Sequence, residues 1–246
     1  MCASKGCVNA FVTRTLLSYD GSHDLEHARR VSTNAAHMFS GPYEELPVVV
    51  AAAFGHDTCD PKYDGRSRLG ALERMCLQDG MSYDDAVCVR RVVEHVSFSR
   101  LRREGPPVVI LSAREMRVWR CVTDADMLEA MGATGMVRTL MYQGHCGCDL
   151  DAALSYAEEA LLQCIHYIEN KCARAEGMQR QETMRRWIRE CKTMSPLRSL
   201  SDEIMLRGRR GSSFASAERL LHRGGSDSVI ETMAREAERE ALWTVV

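Results

Sequence analysis

The chain has 246 residues, 45% hydrophobic and 27% charged, with a net charge of −2. That is the make-up of a globular chain able to bury a sizeable core, and the near-neutral balance gives no reason to expect nucleic acid or an anionic membrane as partner. Apolar runs reach only about ten residues, whereas a bilayer span needs about 20, and the N-terminal stretch lacks the unbroken apolar segment of a secretory signal.

Ala, Leu, Met, Arg and Glu dominate, and alternating Val/Thr-rich stretches are nearly absent, so the predicted fold is all-α. In chain order, helices are expected from about Asn9 to Tyr19, Asp24 to Phe39, Tyr43 to Asp57, Ser67 to Asp79, Tyr83 to Ser97, Ala113 to Met131, and Asp151 to about Met194. Several starts carry signals. Pro42 with Glu44 and Glu45 marks one entrance, Ser82 is placed as an N-cap, and Ser112 followed by Glu115 forms a capping-box pattern. Gly105-Pro106-Pro107 forbids a helix across "PPVVI" (106–110), which reads as a short extended connector. "HCGC" (145–148) reads as a turn between helices, since one His and two Cys make an incomplete zinc set. From Arg207 onward Gly, Ser and Arg dominate. The expected organisation is therefore a main domain over 1–206 and an extension over 207–246, part linker, ending in a short amphipathic helix with Val229, Ile230, Met233, Ala237 and Trp243. That helix is expected to dock on its own domain, and the oligomeric state, monomer or dimer, stays open. The 11 cysteines, an odd number scattered singly, fit a reducing compartment better than a disulfide framework, which points to the cytoplasm.

The chemistry concentrates in a few polar residues set in apolar helices. His23 and His27 are four apart on one helix. The apolar run "LPVVVAAAFG" (46–55) ends in His56-Asp57, with Asp60 and Lys62 just behind. Asp124 and Asp126 lie in the apolar segment "VTDADMLEAMG" (122–132), where a carboxylate must be capped, paired or coordinated. Singly, each has an ordinary explanation as a cap, a satisfied core residue or an ion-pair partner. Together they form an H…HD…D series on separate helices.

Those strings resemble the HD-domain metal-dependent phosphohydrolases. "SHDLEHARRV" is similar to that family's first ligand helix and "FGHDTCDPKY" to its HD helix followed by D-x-K. "VVEHVSFSRL" resembles an I-x-x-x-S-F-S segment, and "TDADMLEAMGATGMVR" the D-A-D-x-L-x-A-x-G-A-x-G-x-x-R signature. The stretch 156–188 resembles the long C-terminal helices, departing from them where Glu159 or Ala160 stands in place of a frequent Lys. The likeness covers about residues 8–190 in order and leaves the tail outside.

The resemblance implies an HD-domain helical bundle with a C-terminal helical extension. It implies metal ligands His27, His56, Asp57 and Asp126, with Asp124 as the alternative acid, and places His23 as a substrate contact. Dinuclear relatives need two further histidines between the HD pair and the last Asp. Only His95 lies there, so one divalent ion is expected. The donor set suits Mn²⁺ first, with Co²⁺, Fe²⁺ or Mg²⁺ as options. Asp60 is placed to orient or deprotonate a water, and Lys62 to hold phosphate against a reading as a solvated lysine. His95 is placed as an acid or phosphate contact, and Arg138 as a substrate contact. Gly132 and Gly135 are expected to permit close helix approach. The implied function is hydrolysis of phosphate esters or anhydrides of small metabolites, nucleotides foremost, by a nucleotidase or a nucleoside triphosphate pyrophosphohydrolase. A non-catalytic or regulatory metal-binding HD protein and an HD-type oxygenase are the competing readings.

Overall fold

The structure, a computed structural model, describes residues 6–63, 65–193 and 195–213. The described residues are helical throughout, joined by turns and short 3₁₀ segments. The helices are α1 Cys7–Leu16, α2 Leu25–Met38, α3 Leu46–Gly55, α4 Leu69–Gln78, α5 Tyr83–His95, α6 Phe98–Glu104, α7 Ala113–Glu129, α8 Gly132–His145, α9 Leu150–Glu159, α10 Lys171–Thr193 and α11 Ser195–Arg209. They form two compact units: Met1–Tyr19 with Leu25–Asp126, and Asp20–Asp24 with Met127–Val246. The proposed terminal helix around Trp243 lies outside the described residues.

In the first unit α3 is the central element. Its sequence is apolar on every side, and Val48, Val49, Ala52 and Ala53 are fully or almost fully buried between α2 and α5. Such a helix is held by burial rather than by amphipathicity. α2 presents Ala28, Val31 and Ala35 to it, while α4 and α5 pair through Leu72, Cys76, Val89 and Val92. The expected caps form: Ser82 Oγ accepts the Asp85 N–H at 3.1 Å, and Ser112 and Glu115 satisfy each other's backbone at 3.3 and 2.7 Å. One cap comes from far along the chain. Asp79 accepts the N–H groups of Gly6, Cys7 and Val8 at 2.8, 2.7 and 2.9 Å, closing the start of α1. "PPVVI" is a series of tight turns rather than an extended strand, and it leaves Val109 96% exposed.

In the second unit α8 packs against α10 and α11. A Cβ at Gly144 would lie 2.2 Å from the Met205 carbonyl oxygen, and one at Gly208 would lie 2.1 Å from that of Met141. The two glycines let the backbones of α8 and α11 touch. Close helix approach was expected at Gly132 and Gly135 instead. Gly132, at φ 79, makes the turn into α8, and Gly135 lies against the Ala130 carbonyl.

Three departures from the expected elements have local causes. The run expected to be helical from Tyr43 to Asp57 tightens to 3₁₀ geometry at both ends, Tyr43–Glu45 and His56–Cys59. The long helix expected over 151–194 breaks between Glu159 and Lys171, because Asn170 Oδ1 accepts the N–H groups of Cys172 and Ala173 and starts α10 afresh. α6 and α8 were not anticipated, and α11 runs to Arg209, into the stretch expected as linker. The "HCGC" turn is as expected, with Gly147 at φ 79. All described cysteines are free thiols, and no helix among the described residues is long and apolar enough to cross a membrane.

Candidate metal centre

Within the first unit, α2, the turn following α3, and α7 each deliver polar side chains to one point. His27 is on α2, His56 and Asp57 form the start of the 3₁₀ turn, and Asp126 lies near the end of α7. His27, His56 and Asp57 are buried and carry ligand atoms within 4.8 Å of one another. Asp57 Oδ2 is 3.4 Å from Nε2 of both His27 and His56, while Asp126 Oδ1 is 3.4 and 3.6 Å from the same two nitrogens. The imidazoles meet edge to face, with centroids 5.2 Å apart.

These separations exceed good hydrogen bonds. They are the spacing of neighbouring ligands sharing an ion with bonds of about 2.1 Å. The tautomer of His56 agrees: its Nδ1–H donates to the Ala53 carbonyl at 2.7 Å, and its Nε2 is buried without a hydrogen bond. The charge balance agrees as well. Burial disfavours the His56 imidazolium, yet Asp57 and Asp126 outweigh it and lift its pKa to about 9. Desolvation likewise opposes the charged Asp126 carboxylate, but His27 and His56 hold it well below the usual carboxylate range. The buried His27, His56 and Asp57 thus form a cluster suited to one divalent ion, with the part-exposed Asp126 carboxylate beside it favouring a positive charge at its centre.

Of the acids in "DAD" it is Asp126 that faces the two histidines. Asp124, two residues back on the helix and 3% exposed, points to another side. Asp60 and Lys62 come together with each other. Asp60 Oδ1 accepts the Lys62 N–H at 2.9 Å, and Lys62 Nζ is 3.2 Å from Oδ2. His95 is buried, with Nδ1 2.8 Å from the Arg91 carbonyl, and walls a cavity of about 200 Å³ with Arg100, Glu104 and Trp119.

His23 and Arg138 belong to the second unit. His23 Nδ1 is 2.7 Å from Ser22 Oγ and 3.4 Å from Asp20 Oδ2, and its ring meets the edge of Tyr142. Arg138 Nε donates to the Ser22 carbonyl at 2.7 Å.

Sequence reasoning missed a group beside the His56–Cys59 turn. Tyr19 stacks on Tyr63 at 3.9 Å and donates to the Thr58 carbonyl at 3.1 Å. Arg68 Nη1 donates to Tyr19 Oη at 3.0 Å and to the Tyr63 carbonyl at 3.1 Å. No motif spacing links residues 19, 63 and 68, so only their convergence identifies them.

No protein-family model matches the chain. It is 27% identical over 196 residues to the uncharacterized protein YpgQ of Bacillus subtilis (strain 168), a match covering 77% of this chain and 92% of YpgQ. The crystal structure of B. subtilis YpgQ in complex with ADP aligns with a TM-score of 0.59 at 25% identity, over 77% of this chain and 99% of that one. The chain is similar to YpgQ in sequence and in fold. A Lactobacillus plantarum protein shares the fold, with a TM-score of 0.61 at 23% identity over 77% of this chain and 97% of that one.

Proposed function

We propose that this chain is a metal-dependent phosphohydrolase of the HD-domain type, acting on small phosphorylated metabolites and foremost on nucleotides. The observation that carries the reading is the convergence of His27, His56, Asp57 and Asp126 on one buried point with donor separations of 3.4–3.6 Å. Similarity to YpgQ, whose structure was obtained with ADP, supports a nucleotide as the ligand class.

In this reading those four side chains hold one divalent ion, Mn²⁺ first. A bound ion supplies Lewis acidity toward a phosphoryl oxygen and lowers the pKa of a bound water toward neutrality. The protein's own groups do the rest. The His56 Nδ1–H bond to Ala53 keeps its Nε2 lone pair turned into the centre. Asp60 is the proposed base that orients the water and takes its proton, which requires its carboxylate to exchange Lys62 for the water. Lys62, His95, His23 and Arg138 are the proposed substrate contacts. Residues 1–206 form the proposed catalytic domain, with 207–246 as an appendage, and the proposed location is the cytoplasm.

The test is a screen of ribo- and deoxyribonucleoside mono- and triphosphates with Mn²⁺, Mg²⁺ or Co²⁺, scoring phosphate against pyrophosphate. Metal-dependent release of either product is expected. Absence of turnover with every ester and anhydride would reject the reading.

A further inference from the structure

Several arginines of the first unit are held by carboxylates. Arg90 pairs with Glu73, Arg91 with Glu115, Arg100 with Glu104, Arg114 with Asp85 and Arg117 with Glu45. Arg68, half-buried, pairs with no carboxylate among the described residues. Its partners are a phenol, a backbone carbonyl and the Tyr19 ring, whose centroid lies 5.8 Å from the guanidinium carbon. The phenol brings no compensating charge: burial, with Asp57, Cys59 and Asp60, raises the Tyr19 pKa to about 12 despite Arg68, so Tyr19 stays neutral.

The placement is also specific. The Gly65–Arg68 turn packs on the His56–Cys59 turn so closely that a Cβ at Gly65 would lie 2.5 Å from the Cys59 carbonyl carbon. Tyr19 ties the same turn through Thr58, the neighbour of Asp57. Arg68 Nη1 makes both of these hydrogen bonds, and among the described residues the Nε–H and Nη2 donors of the fork meet no acceptor. Lys62, by contrast, already faces a carboxylate at 3.2 Å.

We propose that Arg68 is a substrate-binding residue, the cation that receives a phosphate group of a nucleotide held at the His27/His56/Asp57/Asp126 centre. The inference rests on the phosphohydrolase reading. Two carboxylate ligands cancel the charge of a divalent ion, so a polyanionic substrate needs a further cation nearby. A guanidinium with unspent planar donors matches phosphate oxygens in geometry as well as charge.

Calorimetric titration of the Mn²⁺-loaded protein with ADP, beside titration of the metal-free protein with Mn²⁺, tests this in the wild type, Arg68→Gln and Arg68→Lys. Arg68→Gln is expected to weaken ADP about 10- to 100-fold with Mn²⁺ affinity unchanged, and Arg68→Lys to recover part of the loss. Unchanged ADP affinity in Arg68→Gln, with ADP bound by the wild type, overturns the role of Arg68 alone. A parallel loss of Mn²⁺ affinity also overturns it, because Arg68 then serves only to position the ligand turn. If Arg68→Gln does not fold, Arg68→Lys decides: about tenfold weaker ADP supports the forked contact, and wild-type affinity refutes it. A wild type that binds no ADP with Mn²⁺ and hydrolyses no phosphate compound removes the phosphohydrolase reading, and Arg68 with it.

Discussion

Both units bury charge, and they handle it in opposite ways. In the second unit Arg180, 1% exposed, lies 3.5 Å from the equally buried Glu129 and 3.2 Å from Glu176, and donates to the Leu128 carbonyl at 3.1 Å. Cation meets anion there, so the charges compensate one another, although Arg180 Nη2 is buried without a hydrogen bond. Charge compensated by fixed partners in this way belongs to the packing. In the first unit two carboxylates face two imidazoles, whose charge depends on pH. A cluster whose positive charge is carried only by titratable imidazoles can exchange that proton for a metal ion, which an arginine–glutamate pair cannot do.

Removing a carboxylate from the His/Asp cluster should have the largest effect. Asp57→Ala is expected to abolish Mn²⁺ binding and to lower any metal-dependent hydrolysis by a factor of about 1,000 or more, with the helical circular-dichroism spectrum retained. Calorimetry and a phosphate-release assay check it, and retained metal binding would erase the contrast between the clusters. Arg180→Ala attacks the compensated cluster. It leaves Glu129 buried without its partner and should cost about 3–5 kcal/mol of stability in urea unfolding, with Mn²⁺ stoichiometry unchanged in the folded protein.

Proton competition sharpens the comparison further. With the His56 pKa at about 9 in the metal-free protein, above its ordinary 6.5, the proton and the metal exclude each other. Mn²⁺ affinity should therefore climb about tenfold per pH unit toward pH 9 and then level off. The metal-free protein moves the other way. Its stabilisation by the charged His56 is fully present below pH 6.5 and is lost as pH rises through about 9. Thermal unfolding with and without Mn²⁺ across that range reads both trends, and pH-independent affinity would contradict them.

The smallest effect belongs to a charge held mainly by backbone N–H groups. Asp79→Ala uncaps α1 and should cost about 1–2 kcal/mol, with metal affinity untouched. The Asp79 pKa is lowered: desolvation opposes the shift, and the N–H groups of Val8, Cys7 and Gly6 outweigh it. This stabilisation is therefore present above the ordinary carboxylate pKa and disappears as pH falls through the lowered one. A native-like transition in Asp79→Ala would show the cap to be dispensable.

Much of this was legible in the residues. Helix-forming composition, the Ser82 cap and the Ser112/Glu115 box all act within a few residues of themselves, and the corresponding helices begin where those signals stand. The set His27, His56, Asp57 and Asp126 came from the HD-domain resemblance, while the apolar runs around His56-Asp57 and Asp126 marked those residues as polar groups whose burial has to be compensated. Other features resisted. The break before α10 turns on one Asn170 cap inside a strongly helical stretch, and α8 was hidden because Gly132 and Gly135 read as a crossing point rather than a helix start. Asp60 was expected to orient or deprotonate a water and Lys62 to hold phosphate, whereas three-dimensional proximity pairs them with each other.

The amino-acid sequence by itself determined that the chain is helical, that its apolar runs form a core, and that His and Asp residues lie at positions where only a cap, a partner or a ligand makes burial tolerable. These are consequences of local propensity and of side-chain hydration, which need no knowledge of neighbours. Only the tertiary structure decided that Asp126 rather than Asp124 faces the histidines, that Asp79 caps a helix more than 70 residues away, and that Arg68 stands beside the ligand turn with no carboxylate among its described partners. Charge partnership depends on separation in space, and chain folding sets that separation between residues that have no fixed spacing along the sequence.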